Sequence, residues 1–251
     1  DLSFLKSPIS GGDVMTPELE TEINDFLSAH GCRYHIQQGY GMTEVSAAAC
    51  YSFENCYCFG SVGIPYVKNV ISIFDAETKK ELTYDTEGEV CIQSPTMMKE
   101  YFHAPEETAA VIQKHSDGSV WLHTGDLGTI SSDGNLFIKG RIKRIIVRRG
   151  SKVFPSAIED VIMRHPYIVN CAVVQAPHAE DRHVPVAFLV LKDGFPDNIV
   201  DELKDSIREV LPEFNIPYTF FIRKSLPVTP MGKVDYRALE RISEECVCSQ
   251  P

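Results

Sequence analysis

Residues 121–141 read WLHTGDLGTISSDGNLFIKGR. The runs LGTI (127–130) and LFIKG (136–140) flank the cluster SSDGN (131–135), which is a β-hairpin signature with Asp-Gly supplying the positive φ angles. Just ahead of the hairpin, HTGDLG (123–128) places Asp126 in a turn between strands. Its carboxylate there either accepts from both hydroxyls of a ribose or closes an Asx-turn at a strand end.

Upstream of this hairpin, from about residue 59, the chain continues as short β-like runs separated by turns, VISIFDAET and GEVCIQSP among them. One helix interrupts them near Pro105 to Lys114. The pattern predicts a small, mostly β subdomain. Further upstream, SGGDVMTPELETEINDFLSAH reads as a glycine turn followed by a helix, with Thr16 as N-cap, Pro17 at the first helical position and acids in the first turn. Leu19, Ile23, Phe26 and Leu27 form its expected apolar face. YHIQQGYGMTE is then a short strand that breaks at Gly39 into a loop.

Downstream of Gly140 the pattern becomes α+β. FPSAIEDVIMRHP carries a capping box, Ser156 to Glu159, opening a helix that Pro166 closes. NCAVVQAP and VPVAFLVLKD read as strands, DNIVDELKDSIREVLP as an amphipathic helix, and YTFFIRKSLP as a further strand. The expected division is therefore residues 1–140 and 141–251.

Composition narrows the function. The chain has 251 residues, 43% of them hydrophobic, enough for one large or two modest domains. Thirty-five acidic against 24 basic residues give a formal charge of −11, which disfavours nucleic acid and anionic membranes. No apolar stretch approaches the roughly 18 residues of a membrane span, and the start lacks a signal-peptide pattern. Eight cysteines are too sparse for a small disulfide scaffold, so a cytoplasmic location is expected. The CxC pairs Cys56/Cys58 and Cys246/Cys248 lack partners at zinc-finger spacing and read as free thiols.

Four stretches carry candidate chemistry. GYGMTE (39–44) is either a glycine loop whose polar side chains cap nearby backbone or a nucleotide site. In the second case Tyr40 offers a stacking face, Thr43 a phosphate donor and Glu44 a metal ligand. HTGDLG contributes Asp126. The run KGRIKRIIVRRGSK gathers seven Lys or Arg between residues 139 and 152, and alternation puts Lys139, Arg141 and Lys143 on one side of an extended segment. TPMGKVD presents Lys233 on a Pro-flanked loop.

The order and spacing of SGGDVMTPEL, GYGMTE, GSVGIP, GEVCIQSPTMMKEYF, WLHTGDLGTISSDGNLFIKGR, IIVRRGSKVFPSAIED and PVTPMGKVDYRAL resemble the adenylate-forming (AMP-forming) acyl-CoA synthetase superfamily. The resemblance implies an α/β and α+β fold: the end of the large domain, including a small distorted β-barrel, then a small mobile α+β C-terminal domain. It implies that Gly11, Gly12 and Tyr40 border the adenine, that Thr43 meets phosphate and Glu44 meets Mg2+, and that Asp126 and Arg141 hold the ribose. Lys233 corresponds to the catalytic lysine and Lys143 to the hinge, while Arg144 stands where the family usually has an acid. Arg148, Arg149 and Lys152 are the expected CoA phosphate ligands.

Implied substrates and cofactors are a small carboxylic acid, ATP, Mg2+ and CoA. The family's glycine-rich phosphate loop does not occur in these residues, so the chain is expected to be a C-terminal half that makes no adenylate alone. A non-catalytic AMP-binding relative and an adenylation domain that loads a carrier protein are the alternatives.

Overall fold

A computed structural model describes residues 1–12 and 15–247. Asp13 and Val14 of the expected glycine turn, and Cys248 of the second CxC pair, lie outside the described residues. The chain divides into two compact units, Asp1–Ile142 and Lys143–Pro251, against the division expected at residue 140.

The first unit begins with a β-α-β element. Strand β1 (Ile9–Gly11) pairs in parallel with β2 (Gln37–Tyr40), and α1 (Pro17–Ala29) connects them. Two short antiparallel strands, β3 (Cys50–Tyr51) and β4 (Ile64–Pro65), complete this sheet. Thr16 caps α1 as expected, its Oγ1 accepting from the Leu19 N–H at 3.2 Å.

The apolar face of α1 differs from expectation. Leu19 and Phe26 are exposed, and the buried side runs through Glu20 and Leu27 with Ile23 packed beside it. A carboxylate tolerates that position because three donors satisfy it: Gln38 Nε2 at 2.8 Å, the Tyr57 hydroxyl at 2.6 Å and the Gly60 N–H at 2.9 Å. Nor does β2 break at Gly39, which stays paired with both Gly11 and Tyr51. The turn comes at Gly41, where a Cβ would lie 1.7 Å from the Ala47 carbonyl oxygen.

The second sheet of this unit joins β5 (Val70–Phe74), β6 (Gly88–Gln93), β7 (Ile112–Lys114), β8 (Val120–Ile130) and β9 (Leu136–Arg141). Its order is β5-β6-β8-β7, with β9 also paired to β8. Among the described residues no pairing joins β5 to β7 or β9, so the sheet stays open where a distorted barrel was expected. The expected helix is shorter than its sequence suggests: α2 spans Pro105–Val111, and Ile112–Lys114 pair with Val120–Leu122 instead. In the 131–135 hairpin turn only Gly134 has positive φ, at 84°. Val45, Ala49 and Cys50 share one buried cluster with Ile71, Val90, Ile92, Leu122 and Leu136. That core seats the loop after β2 on the five-stranded sheet.

The second unit opens with a hairpin of β10 (Ile146–Arg148) and β11 (Ser151–Val153). Its two turn residues, Arg149 at φ 48° and Gly150 at φ 82°, match the twist of the flanking strands. A three-stranded sheet follows, with β12 (Ile168–His178) antiparallel to β13 (Arg182–Leu191) and β14 (Thr219–Arg223) parallel to β13. Period-2 alternation assigns its faces. Cys171, Val173, Ala187 and Leu189 pack with α3 (Pro155–Met163) and α4 (Ile199–Val210). Ala172, Val174, Val186 and Phe188 pack on the other face with Leu226 and Leu239, the latter from α5 (Tyr236–Val247).

The capping box does not form. Helix α3 already starts at Pro155, after Phe154, so Ser156 lies inside it. Glu159 is drawn elsewhere: its Oε1 accepts from Arg144 Nη2 at 2.5 Å and from the Val173 N–H at 2.7 Å.

Candidate active site

Asp126 is the centre of the arrangement in the first unit. Gly125 at φ 71° and the register shifts on either side bend β8 here, and such irregularities re-aim a side chain within a strand. The Asp126 N–H is held by Thr124 Oγ1 at 3.0 Å. Its side chain accepts from the Tyr40 hydroxyl at 2.6 Å through Oδ2 and from Arg141 Nε at 2.7 Å through Oδ1. Each carboxylate oxygen has two acceptor sites, so both retain capacity for another donor.

Burial pushes the Asp126 carboxyl above its ordinary pKa, against the Tyr40 hydrogen bond and the Arg141 charge. The ion pair fails to win because the Arg141 side chain is 60% exposed and solvent screens it. Burial, and then Asp126 itself, also raise the Tyr40 phenol. Tyr40 is therefore held at Asp126 as a hydrogen-bond donor, with its ring packed against the apolar core of the unit.

The loop after β2 supplies Thr43 and Glu44. Residues Thr43–Val45 form one 3-10 turn, followed by Ser46 and Ala47 at φ 61° and 100°. Non-glycine residues in this region carry strain, which concentrates at functional sites. Thr43 is exposed and Glu44 half-buried. Glu44 Oε1 accepts from the Tyr101 hydroxyl at 2.5 Å, which pushes that phenol up to about 12. The Glu44 charge also reaches Asp126, raising its pKa. Ala49 is buried, whereas Ala47 and Ala48 face outward. Gly11 lies opposite Gly39, a Cβ on it falling 3.2 Å from the Gly39 carbonyl oxygen, and Gly12 follows at φ 89°.

One unit thus gathers Gly11, Tyr40, Glu44, Asp126 and Arg141 from four separate stretches of chain. Tyr101 went unnoticed in the sequence because a tyrosine in KEYFHAP carries no local mark of its partner. A second buried cluster was also missed. His123 Nδ1 lies 2.8 Å from Glu89 Oε2 and 3.4 Å from Cys91 Sγ, while its Nε2 lies 2.9 Å from His115 Nε2. Cys, His and Glu suit a metal, but the Lys79 ammonium already sits 3.3 Å from Glu89 Oε2 and 3.4 Å from His123 Nδ1. Burial opposes the Glu89 charge, yet His123 and Lys79 more than offset it and hold that carboxyl below its usual range. The cluster is balanced as it stands.

In the second unit Lys233 is exposed on a closed loop. Val228 bridges Val234, and the Thr229 N–H donates to the Lys233 carbonyl at 2.7 Å. Lys143 is exposed where the chain enters this unit. The three expected CoA ligands differ. Arg148 is committed internally, to Asp181 at 2.8 Å and to the carbonyls of Phe214 and Ile216. Arg149 pairs with Asp181 and Glu180 yet keeps 68% of its side chain exposed, and Lys152 is exposed. The alternation expected for the basic run holds for Lys139 and Arg141 on β9, whereas Lys143 falls in a 3-10 turn. Cys56 and Cys58 are free thiols. No helix among the described residues is long and apolar enough to cross a membrane.

Comparison with known proteins gives consistent matches. The family described as AMP-binding enzyme matches residues 1–102, and the AMP-binding enzyme C-terminal domain matches residues 157–233. 4-Coumarate-CoA ligase 1 of Glycine max is 36% identical over 240 residues, covering 93% of this chain and 79% of that one. 4-Coumarate-CoA ligase of Vanilla planifolia is 36% identical over 241 residues, covering 93% of this chain but 42% of that one. Among solved structures, ATP-bound MatB from Rhodopseudomonas palustris superposes with a TM-score of 0.82 at 26% identity, over 95% of this chain and 46% of that one. The o-succinylbenzoate CoA synthetase of Bacillus subtilis, in complex with its acyl-adenylate intermediate, gives 0.78 at 27% identity, over 92% and 45%. The chain therefore spans less than half the length of most of these relatives.

Proposed function

Because the chain belongs to the AMP-binding enzyme family of adenylate-forming enzymes, we propose that it supplies the C-terminal half of an AMP-forming carboxylic acid:CoA ligase. The observation that carries this reading is the Tyr40, Asp126 and Arg141 constellation. A buried carboxylate with spare acceptor capacity, steadied by a phenol and a guanidinium, suits the paired hydroxyls of a ribose.

Around that anchor the other residues take consistent roles. The Tyr40 ring and the side-chain-free Gly11 and Gly12 border the adenine. Thr43, an exposed hydroxyl, donates to a phosphate oxygen, and the Glu44 carboxylate fits a Mg2+ ion, which would neutralise phosphate charge there. Attack of a carboxylate on the α-phosphorus brings two anions together, so positioned cations dominate the stabilisation of the transition state. Lys233 supplies that cation. Lys143 is the hinge about which its unit moves, and Arg149 and Lys152 meet the CoA phosphates on a hairpin that Arg148 braces.

The test is ATP-pyrophosphate exchange by the full-length enzyme that carries this chain, across a panel of carboxylic acids, with the 251-residue chain beside it. Exchange with one class of acid, by the full-length enzyme alone, is expected. Exchange with no acid, accompanied by AMP binding, would move the assignment to a non-catalytic AMP-binding relative.

A further inference from the structure

The second unit contains a connection that its cation count alone does not require. Arg144, adjacent to Lys143, lies with its guanidinium 3.8 Å from the centroid of the Tyr236 ring. The same group donates to Glu159 Oε1 at 2.5 Å and to the Val173 carbonyl at 3.3 Å. Its side chain is 22% exposed and that of Glu159 13%. Arginine satisfies both demands at once, because its planar fork bonds in the plane while its face stacks on a ring, which a lysine ammonium does not reproduce.

Tyr236 opens α5 directly after the loop that holds Lys233. The root of that loop is well defined. Val228 bridges Val234, the Thr229 N–H donates to the Lys233 carbonyl, and the Asp235 N–H donates to the Pro227 carbonyl at 2.8 Å. The Asp235 carboxylate in turn accepts from the Ala238 N–H at 3.0 Å, fixing the first turn of α5. One side chain thus joins the segment by which the chain enters this unit to the base of the Lys233 loop.

We infer that Arg144 is a positioning residue for Lys233: stacked on Tyr236, it makes the Lys143 segment and the Lys233 loop turn as one body. The inference rests on the reading of Lys233 as catalytic. A merely structural Arg144 would serve only to neutralise Glu159, and then the ring beneath it would be dispensable.

The test compares Tyr236→Leu, Tyr236→Phe, Arg144→Lys and Lys233→Ala in the full-length enzyme. Tyr236→Leu and Arg144→Lys should each lower the adenylation kcat about tenfold, the scale of a partly desolvated guanidinium-ring contact, with KM for ATP nearly unchanged. Tyr236→Phe keeps the ring and should keep the rate, and the double variant Tyr236→Leu with Arg144→Lys should fall no further than either single one. In the 251-residue chain, exchange of the Thr229 and Gly232 amides should quicken about tenfold in Tyr236→Leu while the β12 and β13 amides hold. Uniformly faster exchange across the unit, with kcat unchanged per folded enzyme, would overturn the inference. If Lys233→Ala itself left adenylation intact, the catalytic reading would fall, and the local exchange result would still report whether Arg144 and Tyr236 fasten the loop.

Discussion

Tyr40 and Asp126 stand 86 positions apart in sequence and share a hydrogen bond of 2.6 Å. The bond ties the end of the parallel β-α-β element to the bent strand of the five-stranded sheet. The two halves of the first unit therefore meet at the residues assigned to the nucleotide.

Tyr40→Phe leaves the buried Asp126 carboxylate one donor short. The loss should cost roughly 1–3 kcal/mol, as for other hydrogen bonds to buried charged groups. Urea unfolding of the first unit measures it, and a cost indistinguishable from zero would mean that water replaces the phenol.

Two glycines separate steric from conformational demands. Gly41→Ala puts a Cβ within 1.7 Å of the Ala47 carbonyl oxygen, so the turn carrying Thr43 and Glu44 must rearrange. A destabilisation of about 3 kcal/mol or more is expected, with loss of nucleotide binding. Gly12→Ala meets no atom within 4 Å but must hold φ at 89°, which should cost only about 1–2 kcal/mol. Equal effects at the two positions would contradict the close approach at Gly41.

Burial holds the Glu159 carboxyl above its ordinary range, against Arg144 and the Val173 N–H. An acid whose folded pKa lies above its unfolded value binds its proton more tightly in the native state. Its contribution to stability is therefore full below the unfolded value of about 4.3 and is lost as pH rises through the folded pKa. Glu159→Gln removes this dependence. The stability of the native chain relative to that variant should fall as pH rises from about 4 through the window just above the ordinary carboxylate range, and parallel curves would show that burial does not govern Glu159.

Lys233→Ala should slow adenylation by about 10² to 10³, by analogy with removing one oxyanion-hole donor. Thiol attack on a supplied acyl-adenylate should depend far less on this residue. Comparable losses in both half-reactions would remove Lys233 from its assigned role.

What the sequence disclosed was mostly local chemistry. The 131–135 hairpin, the Thr16 cap and the alternating strands of the second unit are written in adjacent residues, and the structure has them. The Ser156 to Glu159 pattern was equally local and misled, because Pro155 could already start the helix and Glu159 found a half-buried guanidinium instead. Glu20 inverted the expected face of α1 through donors from residues 38, 57 and 60. The candidate residues could be named one by one, but that Asp126 would be held by Tyr40 and Arg141, and Glu44 by Tyr101, depends on strand register and loop packing that no local pattern encodes.

The most direct test of the nucleotide site is ATP-pyrophosphate exchange by the full-length enzyme with ATP and with 3′-deoxy-ATP, in the native protein and in Asp126→Asn. If Asp126 holds the ribose, kcat/KM should drop about 10- to 100-fold for the deoxy nucleotide in the native enzyme, and the gap should close in the variant. Equal use of both nucleotides by the native enzyme would contradict the account.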